Sequence, residues 1–179
     1  MAKKIKKRII LTGAQGTGKT TLMNELTKDG TRAISHIRKT AEEYNIDVSN
    51  ATEEGQKIFY STLKKELSSK KNYVSDRGLT CVAAYTFNKA ITGEISKKTA
   101  DKQYLEFVKF MDKNPDVLIV YVPVEFDVEA DGVRSEDIIF QSKIDFLIKN
   151  ILETTGVPYI TVTGTVEERL AQIEAALVK

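Results

Sequence analysis

Residues 8–26 read RIILTGAQGTGKTTLMNEL, and the fold that the sequence predicts follows from this stretch. Its first part, residues 8–11, is an uninterrupted β-branched and apolar run, which is typical of a strand buried on both faces. A glycine-rich turn follows and matches G-x-x-x-x-G-K-S/T at every fixed position from 13 to 20. Apolar residues then recur at helical spacing through residue 26. The stretch therefore predicts a strand, a glycine-rich loop and a helix in direct succession.

The loop of residues 13–20, hereafter the phosphate loop, has the composition of an anion cradle. Glycines permit backbone conformations closed to other residues, so that successive N–H groups can turn inward around phosphate oxygens. Lys19 would reach the β and γ phosphates, Thr20 would offer its hydroxyl to Mg²⁺, and the next helix would direct its positive end at the anion. A glycine turn without a ligand is the alternative. We predict ATP and Mg²⁺ as ligands, with these nucleotide-binding residues: Gly13, Ala14, Gln15, Gly16, Thr17, Gly18, Lys19, Thr20 and Thr21.

Length and composition exclude several classes of protein. A chain of 179 residues with 41% apolar side chains predicts one domain, residues 1–179, with a single core. One cysteine and one histidine cannot build a usual zinc site, so we expect any metal to be hard and oxygen-bound. No apolar run approaches the roughly 18 residues of a membrane span. We expect a reducing, cytoplasmic compartment and no membrane association.

Charge is unevenly distributed along the chain. The net charge is +2, but residues 1–123 carry 22 basic and 14 acidic side chains, whereas residues 124–179 carry 5 and 11. This asymmetry suits an anionic ligand held by the larger part. Lysines on solvated helix faces are the alternative explanation.

Strand-like and helix-like segments alternate along the rest of the chain. Because the strand runs lack strict polar alternation, we predict an α/β fold with a parallel sheet and helices on both sides. The predicted strands are Arg8 to Leu11, Ala33 to Ile37, Asn72 to Ser75, Val117 to Val122 and Tyr159 to Val162. A capping box, Thr165 with Glu168, predicts the start of the last helix, and Asn50 with Glu53 could open an earlier one.

Two features argue against a switch or a motor. The segment Asn88 to Ile91 lacks the aspartate of a guanine-reading Asn-Lys-x-Asp motif. Motors usually end a strand with Asp-Glu, whose glutamate polarises a hydrolytic water, but here Asp76 is followed by Arg77. A cation therefore occupies the position where a hydrolase requires a base, which favours transfer to an acceptor.

Asp76 and Arg77 form a carboxylate–cation pair at the end of a predicted strand. The carboxyl ends of neighbouring parallel strands would meet beside the phosphate loop. Asp76 could then order Mg²⁺ through its waters or accept a proton from an acceptor hydroxyl, while Arg77 neutralises the transferring group. We predict Lys19, Asp76 and Arg77 as catalytic residues and Thr20 with Asp76 as the metal site. An ordinary buried Asp–Arg pair is the alternative.

A second cluster, Asp131 to Ser135, lies on an acidic, glycine-containing segment between the fourth strand and the helix after it. We predict that residues 125–137 form a mobile lid that closes over the nucleotide and brings Arg134, a fourth catalytic residue, to the β and γ phosphates. A plain surface turn is the alternative.

The ordered set of motifs resembles the small P-loop kinases, and in particular the nicotinamide-riboside-kinase-like AAA-type group, many of them carried by bacteriophages. The resemblance is carried by Gly13 to Thr20, Arg38-Lys-Thr-Ala-Glu-Glu43, Gln56, Val74-Ser-Asp76-Arg77, Ala84-Tyr85, Asp131-Gly-Val-Arg134-Ser135 and Gly164-Thr-Val-Glu-Glu-Arg169. It implies a three-layer P-loop NTPase fold with a five-stranded parallel sheet, and transfer of the γ-phosphate of ATP to a nucleoside-like acceptor. One departure concerns the base, because deoxynucleoside kinases generally have a glutamate shortly after the second strand, where this chain has His36 and Arg38.

The acceptor is expected between the ends of the second and third strands and the helices that follow them. A cation for phosphate, an amide to read a base edge and aromatic rings to stack on it are available there. The predicted acceptor-binding residues are Arg38, Gln56, Phe59, Tyr60 and Tyr85. Core packing is the alternative for Phe59 and Tyr60, and an ion pair with Glu42 is the alternative for Arg38.

Three functions remain open from the sequence. The acceptor is a free nucleoside or nucleotide, or a 5-hydroxymethyl pyrimidine within DNA, as in some phage members of the resembled group. Lysines scattered over the larger part of the chain are compatible with DNA. A nucleotide-dependent regulatory ATPase is the candidate from another class.

Overall fold

The computed structural model describes residues 8–69, 71–125 and 135–178, except the side chains of residues 135–137. These residues form five strands and seven helices, with one or two helices after each strand. The strands are β1 (Arg8–Thr12), β2 (Ala33–Ile34), β3 (Tyr73–Ser75), β4 (Val117–Tyr121) and β5 (Tyr159–Thr161). The helices are α1 (Lys19–Leu26), α2 (His36–Tyr44), α3 (Glu53–Ser69), α4 (Leu79–Ile91), α5 (Lys97–Lys113), α6 (Ser135–Thr155) and α7 (Val166–Leu177).

The strands form one parallel sheet in the order β2-β3-β1-β4-β5. The central strand β1 pairs with both β3 and β4, so its side chains are buried on both faces of the sheet. Ile9 and Leu11 enter one core and Ile10 enters the other, because successive side chains of a strand point to opposite faces. This double burial explains the uninterrupted apolar run at the start of the chain.

Helices cover both faces of the sheet and give a three-layer arrangement. The core that contains Ile10 is completed by helices α2 to α6, which contribute side chains such as Leu63 and Phe107. On the other face, Leu22 of α1 and Ile173 of α7 pack over Ile9 and its neighbours. The predicted α/β fold with a five-stranded parallel sheet is confirmed.

The second strand is shorter than predicted. The apolar pattern extended it to residue 37, but the strand ends at Ile34 and α2 begins at His36. The imidazole of His36 is 7% exposed and lies between two helices: Nδ1 is 2.6 Å from Glu66 Oε2, and Nε2 is 2.8 Å from Thr62 Oγ1. Contacts with α3 therefore fix residues 36 and 37 in a helix.

The helix starts were predicted with different success. The capping box of α7 is confirmed, because Thr165 Oγ1 accepts from Glu168 N and the Glu168 carboxylate accepts from Thr165 N. At α3 the hydroxyl of Thr52, two residues after the predicted Asn50, accepts from Gly55 N at 3.2 Å.

None of the helices described here combines the length and apolar character that crossing a bilayer requires.

Candidate active site at the phosphate loop

The phosphate loop connects β1 to α1 at the carboxyl edge of the sheet, where parallel α/β folds bind their ligands. A Cβ atom at Gly13 would collide with the carbonyl oxygen of Val122, so the loop passes the residue after β4 at a distance that only glycine allows. Gly18 lies at the N-cap of α1 with φ 86°, in the left-handed region that favours glycine. The sequence pattern therefore encodes a tight turn that ends at a helix N-terminus.

Lys19 is turned into the phosphate loop and is 6% exposed. Its ammonium group donates to the carbonyl of Ala14 and, at 3.1 Å, to Thr17 Oγ1. Burial lowers the pKa of Lys19 to about 8, and the nearby Arg77 charge acts in the same direction. A buried ammonium group at a helix N-terminus favours an anion beside it.

Asp76 follows β3 and meets hydroxyl groups from two other elements. Thr20 Oγ1 in α1 and Ser35 Oγ after β2 both donate to Asp76 Oδ2, each at 3.4 Å. The structure therefore brings together Thr20 and Asp76, which are 56 residues apart and which we predict as the metal site. Ser35 was not predicted, although its place directly after β2 follows the same rule of strand ends.

The chemistry of Thr20 and Asp76 fits Mg²⁺. A hydroxyl and a carboxylate are oxygen ligands, and Mg²⁺ is usually held by few protein groups, with water and substrate phosphates as its other ligands. Among the described residues there is no group of three or more His, Cys, Asp and Glu side chains that could hold a metal. Thr20 and Asp76 would supply two ligands, and water and phosphate oxygens would supply the others.

A cavity opens beside the phosphate loop, on the side of β3 and α4. Arg77 and Tyr85 lie on one wall, with the guanidinium carbon 5.8 Å from the centroid of the Tyr85 ring. Tyr85 also donates from its hydroxyl to Gln15 Oε1 of the phosphate loop at 2.9 Å. The complete lining consists of Ile37, Val48, Gln56, Phe59, Arg77, Cys81, Val82 and Tyr85. We call it the acceptor cavity, after the acceptor-binding residues predicted from the sequence, and Tyr85 links its wall to the phosphate loop.

Three of the five predicted acceptor-binding residues, Gln56, Phe59 and Tyr85, line this cavity. Tyr60 does not, because neighbouring helical residues point about 100° apart. It is 3% exposed and donates to the carbonyl of Gln103 in α5 at 2.7 Å, in agreement with the alternative of core packing. Arg38 is an exposed residue of α2 and is absent from the lining.

The remaining predicted residues lie elsewhere. Thr21 is an exposed residue of α1. Arg134, Asp131 and most of the predicted lid, residues 126–134, lie outside the described residues.

Two residues without a predicted role contact the phosphate loop from distant parts of the chain. Gln141 of α6 donates from Nε2 to the carbonyl of Gln15 at 2.6 Å, and Arg169 of α7 donates from Nη1 to the carbonyl of Thr17 at 2.8 Å. Both are buried, with exposed fractions of 7% and 4%. Arg169 ends the segment Gly164 to Arg169 that carries the family resemblance, but the sequence assigns it no contact, and nothing in the local pattern marks Gln141. Each contact depends on how a helix crosses the sheet edge.

Solved structures with this fold include several kinases. A deoxyadenosine kinase from M. mycoides, with the products dCMP and dCDP bound, is 17% identical with a TM-score of 0.67, and the match covers 96% of this chain and 98% of that one. Thymidylate kinase from Candida albicans is 19% identical with a TM-score of 0.62, over 96% and 91% of the two chains. The NadR protein in complex with NAD and AMP-PNP is 16% identical with a TM-score of 0.64, over 96% of this chain and 49% of NadR.

Sequence comparison gives a family but no individual relative. No curated protein matches the chain. The model of the AAA domain family, in contrast, matches residues 8–169, which is most of the chain, and the protein therefore belongs to that family.

Proposed function

We propose that the protein is an ATP- and Mg²⁺-dependent kinase that transfers the γ-phosphate to a hydroxyl or phosphate of a nucleoside- or nucleotide-type acceptor. The observation that carries the proposal is the convergence of two cations from opposite sides. Lys19 belongs to the phosphate loop, and Arg77 lines the acceptor cavity, whose wall residue Tyr85 donates to Gln15 of the loop at 2.9 Å. A phosphoryl group passing from one side to the other would neutralise both.

The residues of the site divide into a donor side and an acceptor side. On the donor side the phosphate loop would hold the triphosphate, and Thr20 and Asp76 would hold Mg²⁺, which neutralises phosphate charge when it is bound. On the acceptor side Gln56 would read a base edge, and Phe59 and Tyr85 would contact its ring. Asp76, next to both sides, would orient the metal or accept the proton of the acceptor hydroxyl.

The comparisons support a nucleoside or nucleotide as the acceptor class. The M. mycoides deoxyadenosine kinase shares the fold over nearly its whole length and holds dCMP and dCDP as products. An amide next to aromatic and aliphatic side chains, as in the acceptor cavity here, has the composition of a site for a flat, partly polar ring. A free nucleoside or nucleotide is therefore our first candidate.

The test is an assay of ATP consumption with and without a panel of nucleosides, nucleotides and modified oligonucleotides, with products identified by mass spectrometry. We expect consumption to require an acceptor and to yield an acceptor that is heavier by one phosphate. Hydrolysis that is independent of every acceptor, without a phosphorylated product, would instead identify a regulatory ATPase and contradict the proposal.

A 5-hydroxymethyl pyrimidine within DNA is the alternative acceptor. Several lysines in the larger part of the chain are ion-paired: Lys64 with Glu106 at 3.1 Å, Lys97 with Asp101 at 2.6 Å and Lys102 with Glu106 at 3.9 Å. Pairing reduces the positive charge that these side chains offer to a DNA backbone. DNA phosphorylation would weaken steeply between low and moderate salt, whereas activity on a free acceptor would change little.

A further inference from the structure

Three carbonyl groups of the phosphate loop accept hydrogen bonds from side chains, and two of these side chains come from distant parts of the chain. When the N–H groups of such a loop turn inward to an anion, the carbonyl groups of the same peptides turn outward and need donors. Lys19 donates to the carbonyl of Ala14, Gln141 to that of Gln15 at 2.6 Å and Arg169 to that of Thr17 at 2.8 Å. Gln141 and Arg169 are 126 and 152 residues away from their acceptors.

Arg169 brings a full charge to this position although burial makes a charge costly. Its side chain is 5% exposed, and Nη2 donates to Glu125 Oε2 at 2.6 Å. The same carboxylate oxygen accepts from Gly164 N at 2.9 Å, which fixes Glu125 between the end of β4 and the start of α7. The guanidinium group is therefore oriented by Glu125 and directed at the carbonyl of Thr17.

The peptide that Arg169 contacts joins Thr17 to Gly18. The carbonyl of Thr17 and the N–H of Gly18 belong to the same amide, so a charged donor on the oxygen strengthens the N–H as a donor on the other side. In the same way Gln141 donates to the carbonyl of Gln15, which strengthens the N–H of Gly16 as a donor. Both of these glycines have left-handed backbone angles, with φ 76° at Gly16 and 86° at Gly18.

We propose that Arg169 and Gln141 are positioning residues for the phosphate loop. They hold the Thr17–Gly18 and Gln15–Gly16 peptides with their N–H groups toward the bound phosphates, and Glu125 orients Arg169 for this task. The inference rests on the proposed binding of ATP to the loop. It adds two residues, from α6 and α7, to a site that the sequence pattern confines to residues 13–21.

The experiment measures affinity in the full-length protein for two probes, a non-cleavable ATP analogue with Mg²⁺ and inorganic tripolyphosphate with Mg²⁺, by titration calorimetry. We expect Arg169→Met to weaken both probes about 10- to 100-fold and Gln141→Met about 2- to 10-fold, from the typical contributions of charged and neutral hydrogen bonds. Arg169→Lys keeps the cation but lacks the two guanidinium nitrogens that donate to Thr17 and Glu125. We expect its affinity for both probes to lie between those of wild type and Arg169→Met.

The matched control is Arg8→Met at the opposite end of β1. Arg8 also joins an acidic and a neutral partner, Asp116 and Asn114, with its side chain 12% exposed. Both Arg→Met variants are expected to lower the melting temperature of the free protein, but Arg8→Met should keep probe affinity within twofold of wild type. A loss of affinity confined to Arg169→Met separates positioning from general destabilisation.

The outcomes distinguish this inference from the proposed function. If wild type binds the probes and Arg169→Met binds them equally well, the positioning role is wrong. If Arg169→Met does not fold, Arg169→Lys and Gln141→Met decide, and unchanged affinity in both overturns the inference. If wild type itself binds neither probe, the proposed function fails together with the inference that depends on it.

Discussion

Asp76 contacts Thr20 at the end of the phosphate loop and directly precedes a residue of the acceptor cavity. It accepts from Thr20 of α1 and from Ser35 after β2, and the next residue, Arg77, lines the acceptor cavity. A single carboxylate thus contacts the end of the phosphate loop, and the residue after it lines the acceptor cavity. Either role that we assign to it, metal orienter or proton acceptor, requires that position.

We predict that Asp76→Asn lowers kcat at least about 100-fold, because the amide neither accepts a proton nor attracts Mg²⁺ as a carboxylate does. The measurement is kcat with ATP and the best acceptor, together with circular dichroism to show an intact fold. Ser35→Ala is the control: it removes one of the two hydroxyls that contact Asp76 and leaves the carboxylate, so we expect less than about a tenfold loss. Full activity of Asp76→Asn would contradict the role.

Arg134 has a predicted role that depends on the sequence alone. If its charge is needed chiefly while the phosphoryl group moves, Arg134→Ala lowers kcat by about 100-fold or more and changes the KM for the acceptor little. Steady-state kinetics over a range of acceptor concentrations measures the two parameters. A raised KM at unchanged kcat would show that Arg134 binds the acceptor instead.

At the scale of single elements, α7 links a local sequence signal to the site. Its first turn is closed by the capping box of Thr165 and Glu168, and the residue after the box, Arg169, contacts the phosphate loop. Capping fixes where the helix begins and hence which residue faces the loop. A motif readable from four residues thereby positions a contact between residues that are 152 apart in the chain.

We predict that Thr165→Ala lowers the free energy of unfolding by about 1 kcal/mol, the usual cost of losing an N-cap hydroxyl. Urea denaturation at neutral pH measures it. Thr163→Ala, an exposed position just before the helix, is the control and should change stability by less than about 0.5 kcal/mol. Equal stability of both variants would show that the capping box of α7 contributes nothing measurable.

The boundaries of elements show where sequence patterns stop being informative. The box at Thr165 was predictable because all of its partners lie within four residues. The end of β2 was not, because His36 enters a helix through contacts with Thr62 and Glu66 of α3. An apolar run up to Ile37 has the composition of a strand, and only the packing of α2 on α3 decides otherwise.

For the molecule as a whole, the order of the strands determines which predictions about the site could succeed. The rule that parallel strands end at one edge was sufficient to bring Asp76 to Thr20. It was not sufficient to separate Phe59, which lines the acceptor cavity, from Tyr60, which packs on α5. Nor could it identify Gln141 and Arg169, because the side chains that satisfy the loop carbonyls depend on the angles at which helices cross.

Burial of Lys19 in the phosphate loop also lowers the free energy of unfolding of the whole protein. Lys19 is 6% exposed, and burial lowers its pKa to about 8 from the ordinary value of 10.5. Between these two pH values the unfolded chain holds a proton on Lys19 that the folded protein has released. The free energy of unfolding therefore rises with pH in this window, by up to about 1.4 kcal/mol per pH unit, and below pH 8 the cost of the buried charge is fully present.

We predict that Lys19→Met removes this pH dependence. The free energy of unfolding of wild type, minus that of the variant, should increase as the pH rises from 8 toward 10.5, as measured by urea denaturation at several pH values. Lys98→Met, at an exposed position of α5, should follow wild type throughout. At neutral pH, a non-cleavable ATP analogue with Mg²⁺ should stabilise wild type far more than Lys19→Met, because the phosphates supply the anion that the buried ammonium lacks. A wild-type–variant difference that is constant across this pH range would show that Lys19 keeps its proton in the free protein.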